Sequence, residues 1–119
     1  MLKKIALIVA VASGLYAGLW QNSTPAEAAA GNASKGKKVY NQNCAVCHGK
    51  TGKADGPTGK ALKPPPRNFS VGDFKYGKND AQLLAFIKKG KGAMPAWGTT
   101  LSDTQIQDVI AYIHTLKKK

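Results

Sequence analysis

Cysteine is nearly absent: the 119-residue chain holds 2, which excludes a multi-bridge disulfide framework. Acidic residues are also few, 6 Asp and Glu against 18 Lys and Arg, for a formal net charge of +12. No apolar run reaches the roughly 20 residues that span a bilayer. The longest, Ile5 to Trp20, is broken by Ser13, Gly14 and Gly18. No stretch reads as a convincing strand, and no internal repeat is visible. A chain of this length has room for one domain. So small a core, without cross-links, calls for something other than side chains to help fill it.

The first residues read as a leader and not as part of the fold. Lys3 and Lys4 form a positive start, Ile5 to Leu19 an apolar stretch, and Ala26-Glu27-Ala28 a small-x-small cleavage site. Residues 1–28 are therefore expected to be a signal peptide cleaved near Ala28, with the domain over 29–119; the alternative is an uncleaved N-terminal anchor. In both cases the domain is placed in the periplasm or otherwise outside the cytoplasm. Without Lys3, Lys4 and Glu27 the net charge is about +11. In an exported protein that balance points to acidic protein surfaces and anionic headgroups, not nucleic acid. The lysines are spread along the chain, and no aromatics are interleaved with them as stacking platforms.

Three segments carry helical signals, so the fold is expected to be all-α. Ser102-Asp103-Thr104-Gln105 is a capping box, and Leu101 can staple onto Ile106. Ile106, Val109, Ile110, Ile113 and Leu116 then recur at helical spacing, with Lys117 to Lys119 at the negative end of the helix dipole. A second helix runs from Asn79 or Asp80 through Leu83, Leu84, Phe86 and Ile87 to Gly90. The earliest runs from about Ser34 to Asn43. Gly36 inside it costs about 1 kcal/mol of helix propensity, which makes sense where another helix crosses closely. Between Gly49 and Tyr76 the glycines and Pro64-Pro65-Pro66 suggest a loop wrapped around a ligand.

Both cysteines and one of the two histidines fall in Asn43-Cys44-Ala45-Val46-Cys47-His48-Gly49. At 100° per residue Cys44, Cys47 and His48 project from one side of a helical turn. Cys-x-x-Cys-His is the c-type haem attachment pattern: two thioethers to the ring and an imidazole to its iron. A thioredoxin-like pair needs a preceding strand, and none is present. A zinc site needs four ligands, with His114 the sole Cys or His left to complete it. A plain disulfide leaves His48 unexplained.

What fills the second axial position of the iron decides what such a haem does. Apart from Met1 the sole methionine is Met94, in Gly92-Ala93-Met94-Pro95, where the flanking Gly and Pro shape a loop. A gap-filling core methionine is the ordinary alternative. His114 is the other candidate, at the border of its helix's apolar face.

With these residues in view, the chain resembles small bacterial class I, monohaem, c-type cytochromes over about Ala33 to Leu116, through "CAVCHG", "GAMPAWG" and "DVIAYIHTL". The resemblance implies that the first and last helices cross at Gly36 and Tyr40 against Val109 and Tyr112, with long loops around one covalent haem c. It implies a proline carbonyl accepting from Nδ1 of His48; by spacing that is Pro57, with Pro64 to Pro66 as rivals. Arg67 and Trp97 are candidate partners of the haem propionates. A surface arginine and a packed tryptophan are the ordinary readings. The implied function is single-electron transfer between redox proteins, with no catalysis, by a monomer that carries His48 and Met94 as iron ligands. Lys50, Lys53, Lys88, Lys89 and Lys91 would steer an acidic partner, and peripheral contact with membrane complexes is compatible with the charge. The alternative is a haem enzyme, or a gas or redox sensor, with an exchangeable sixth iron ligand.

Overall fold

A computed structural model describes residues 30–119. The expected leader or anchor over 1–28 lies outside the described residues. Four α-helices are present: α1 (Ala33–Asn43), α2 (Ala45–His48), α3 (Asp80–Lys89) and α4 (Asp103–Thr115). Short 3-10 turns at Gly59–Ala61, Phe69–Val71 and Trp97–Thr99 punctuate the loops. No strand occurs among the described residues; one isolated antiparallel bridge pairs Lys91 with Met94. No described helix is long and apolar enough to cross a membrane.

Each main helix starts where its cap dictates. Asn32 accepts from the Lys35 N–H at 3.0 Å and opens α1 one residue earlier than the sequence suggests. Asn79, not Asp80, caps α3, while Asp80 sits in its first turn, where the dipole favours a carboxylate. The Ser102–Gln105 capping box is complete at α4, and Leu101 packs on the cluster that holds Ile106.

The α1–α4 crossing is the frame of the molecule. Gly36 and Tyr40, four residues apart, are the buried positions of α1. A Cβ on Gly36 would collide with the main-chain carbonyl of Asp108, so only glycine permits this approach. The Asn32 N–H donates to Oδ1 of Asp108 at 2.6 Å, which sets a carboxylate at the positive end of α1. Tyr40 meets Tyr112 edge-on at 5.2 Å.

Two apolar clusters flank this crossing. Tyr40, Ala45, Phe69, Val109 and Ile113 form one; Leu83, Ile87, Ile106 and Ile110 form the other, and Phe74 touches both. Tyr40, Ile106, Val109 and Ile110 are fully buried, and each aliphatic member contributes about 1.5–3 kcal/mol by leaving water. α4 faces both clusters, so α1 and α3 are held through it.

Candidate cofactor site

α2 is a single turn that begins at the residue closing α1. The Cys47 and His48 N–H groups both donate to the Cys44 carbonyl, at 3.2 and 2.9 Å, so the motif adopts the helical turn its spacing implies. Ala45 points into the core and Val46 outward. Cys44, Cys47 and His48 consequently line one cavity of about 520 Å³, within the usual range for a site that encloses a small molecule or cofactor. Met94, Pro95 and Trp97 contribute to the same lining, and Pro64 to Pro66 close another part of it. A smaller recess of about 50 Å³, also shared by His48 and Met94, runs toward Phe69, Phe74 and Leu83.

The imidazole is fixed on two sides. Its Nδ1–H donates to the main-chain carbonyl of Arg67 at 3.1 Å, and its face stacks on Phe69 at 4.6 Å. Burial lowers the His48 pKa, opposed in part by the Arg67 carbonyl. A neutral ring that donates through Nδ1 leaves Nε2 as a bare lone pair, the state required of a metal ligand.

Pro57 does not provide the carbonyl. It is exposed, and its loop lies against the main chain of α2: the Gly56 N–H donates to Cys47 and the Thr58 N–H to Val46, at 3.2 and 3.0 Å. That segment satisfies the open carbonyls of a one-turn helix. The Pro64–Pro66 run instead delivers the carbonyl of the next residue, Arg67, to the ring.

No disulfide joins Cys44 to Cys47, and both side chains are half-buried. Burial, and next the neighbouring Cys47, push the Cys44 thiol up to about 12, so it stays un-ionised at neutral pH. Among the described residues no group of three or more His, Cys, Asp or Glu is placed to hold a bare metal ion. Two thiols, a ligand-ready imidazole and a thioether around one largely apolar cavity fit a covalently attached haem.

The Met94 loop is a tight turn. Lys91 and Met94 exchange both main-chain hydrogen bonds at 3.0 Å, while Gly90 and Gly92 take φ of 68° and 58°, in the left-handed region that disfavours side chains. Trp97 is half-buried, lining the cavity and packing on the α3–α4 cluster. The Arg67 guanidinium lines the cavity too, but it is paired with Asp73 at 3.1 Å. His114 lines neither cavity: its Nε2 lies 2.7 Å from Oδ1 of Asp80, on the surface.

The five lysines do not form one group. Lys91 lines the cavity, its Nζ 4.5 Å from the Tyr76 ring centre. Lys88 is paired with Asp103 at 2.7 Å, and its neighbour Lys89 is exposed and lines neither cavity. Lys50 and Lys53 are exposed but belong to no part of the lining. Sequence reasoning missed Tyr76 and Phe86, stacked at 4.8 Å and 7°, which both face the cavity. Phe86 fits helical periodicity equally well as a core residue, so nothing in the pattern set it apart.

Comparison with known proteins agrees with this chemistry. Residues 31–113 match the family described as cytochrome c oxidase, cbb3-type, subunit III. The cytochrome c6 of Picosynechococcus sp. is 38% identical over 108 residues, 89% of this chain and 90% of that one. The cytochrome c6 of Thermostichus vulcanus is 36% identical, over 95% of this chain and 91% of its own. The cbb3-type cytochrome c oxidase subunit CcoP of Azospirillum brasilense is 38% identical over 80% of this chain, which spans 31% of that subunit. The chain thus covers about a third of the oxidase subunits it matches. No solved structure matches it significantly.

Proposed function

The chain belongs to the class I cytochrome c family, in the group described as cytochrome c oxidase, cbb3-type, subunit III, and we propose that it shuttles single electrons between redox proteins outside the cytoplasm, with His48 and Met94 as its two iron ligands. It carries one haem c attached at Cys44 and Cys47, and its role is electron transfer, not catalysis. When bound, the haem supplies an iron centre that takes up and releases one electron.

The chain's own residues do the rest. The Arg67 carbonyl and the Phe69 ring hold His48 in one orientation and one tautomer. The Lys91–Met94 pair and two left-handed glycines hold the methionine loop. Apolar lining limits water, so little solvent has to reorganise when the charge changes. A neutral thioether opposite an imidazole favours the reduced state relative to two imidazoles. The leader pattern over 1–28 supports export, and a net charge near +11 supports acidic partners, with Lys91 at the cavity as the cation best placed to meet them. Trp97 and Arg67, both in the lining, remain the candidates for the propionates.

The observation that carries this reading is the shared lining: Cys44, Cys47, His48 and Met94 all face one cavity, while His114 is engaged by Asp80 elsewhere. The visible spectrum of the purified exported protein, oxidised and reduced, tests it. Low-spin bands with a weak far-red sulfur-to-iron absorption are expected. Rapid carbon monoxide binding by the reduced native protein would instead identify an exchangeable sixth site.

A further inference from the structure

Three distant segments meet on the side of Phe69 away from the larger cavity's lining. The Gly52 carbonyl accepts from the Phe69 N–H at 2.7 Å, and the Lys118 N–H donates to Ser70 at 3.0 Å. Leu116 and Phe69 pack beside Gly52, and the aliphatic stem of Lys117 lies along Gly72. This convergence brings the segments that carry Lys50, Lys53, Lys117, Lys118 and Lys119 beside the turn that carries Val71. Val71 is 69% exposed, the more open of the two exposed large hydrophobics. None of the five lysines pairs with a carboxylate among the described residues, and none of the six residues lines either of the two cavities described above.

We propose that this face docks the protein on an anionic bilayer surface. Charge complementarity gives the sign of the partner, and composition gives its kind. Protein interfaces are enriched in aromatics, Met and Arg and depleted in lysine; this patch is five lysines beside one exposed aliphatic side chain. Long cationic stems answer to charge density without a fixed shape, and four to eight such residues suit anionic headgroups. Val71 supplies a small apolar contact beside them. Because the patch and the cavity share no residue, the docked protein keeps the cavity open to redox partners while confined to the membrane plane. The inference does not depend on which residues ligate the iron.

The test uses the intact holoprotein with vesicles of zwitterionic lipid alone or doped with phosphatidylglycerol, read by co-sedimentation. Binding is expected only to the doped vesicles, and lost at about 1 M salt, where the Debye length is about 3 Å. Each lysine neutralised in the patch should weaken partition roughly fivefold, so Lys117→Gln with Lys118→Gln and Lys50→Gln with Lys53→Gln should each weaken it by more than about tenfold. Val71→Ser should weaken it without changing the salt dependence. Lys37→Gln with Lys38→Gln, on the exposed side of α1, should leave it almost unchanged. An unaltered haem spectrum shows that each variant is folded. Absence of binding to doped vesicles overturns the proposal, as does equal loss in the α1 variant. Binding to soluble polyglutamate with the same lysine dependence but not to vesicles overturns it in favour of an acidic protein partner.

Discussion

The Nδ1–H of His48 and the main-chain carbonyl of Arg67 are joined at 3.1 Å, so the imidazole is oriented by backbone and not by a side chain. Arg67→Ala should accordingly retain the native haem spectrum. The variant loses the part-exposed pair with Asp73 and the guanidinium's contact with the Tyr76 ring, at a cost of about 1–2 kcal/mol by chemical denaturation. Pro57→Ala should change stability by less than about 0.5 kcal/mol. Loss of the spectrum in Arg67→Ala alone would show that the guanidinium, not the carbonyl, governs the site.

Tyr40 donates its buried hydroxyl to the Gly49 carbonyl at 2.7 Å, tying α1 to the residue after the motif. Tyr40→Phe leaves that carbonyl without its partner and should cost about 1–3 kcal/mol in urea denaturation. Burial raises the Tyr40 pKa far above its ordinary value. An unfolded tyrosine ionises near pH 10, so above that pH the unfolded state releases a proton that the native state retains. Native stability should fall there, and the gap between the native protein and Tyr40→Phe should narrow. A gap that widens above pH 10 would contradict the buried, neutral phenol.

Gly36→Ala should lower stability by about 3 kcal/mol, because the added methyl meets the Asp108 main chain and neither helix can yield alone. Gly92→Ala makes a useful contrast. No atom obstructs a side chain there, but φ is 58°, so only the left-handed backbone is penalised, by about 1–2 kcal/mol. Thermal melts of the two variants separate collision from strain, and a reversed order would displace the helix crossing as the tightest point of the fold.

Met94→Ala should abolish the far-red absorption, admit carbon monoxide and lower the reduction potential by on the order of 0.1 V, within the roughly 0.8 V that axial ligands command. His114→Ala should do none of these, since Asp80 already engages that ring. Voltammetry and spectra of both variants decide between the two residues, and the opposite pattern would make His114 the ligand.

Oxidation of the reduced protein by hexacyanoferrate(III) should slow as salt rises from about 0.1 to 1 M, where the Debye length shrinks from about 10 to about 3 Å. Lys91→Glu, at the cavity, should slow it several-fold at low salt; Lys37→Glu on α1 should matter much less. Equal effects in stopped-flow measurements would mean that net charge alone governs the encounter.

The parts legible in the sequence are those written in local patterns. α4 announces itself by its capping box and its period, and Cys44, Cys47 and His48 by spacing alone. Gly36 betrayed the crossing because a glycine inside a helix needs a reason. The misreading of Pro57 has a different origin: the acceptor is a main-chain carbonyl, which every residue has, so Arg67 carries no mark of the role. Asp108, Tyr76 and the convergence of Lys50 and Lys53 with the chain's end are equally silent in the linear order. Each depends on which distant segments the loops bring together.

The α1–α4 crossing joins positions 76 residues apart, at Asn32 and Asp108. Contacts so remote in sequence form late, because a long loop has to close before they repay its ordering. During synthesis the segment bearing Cys44 and Cys47 therefore emerges well before the helix that will clasp it. Until the crossing closes, the two thiols are reachable from sides that the finished molecule conceals, so the topology favours one order of assembly: ring first, clasp last.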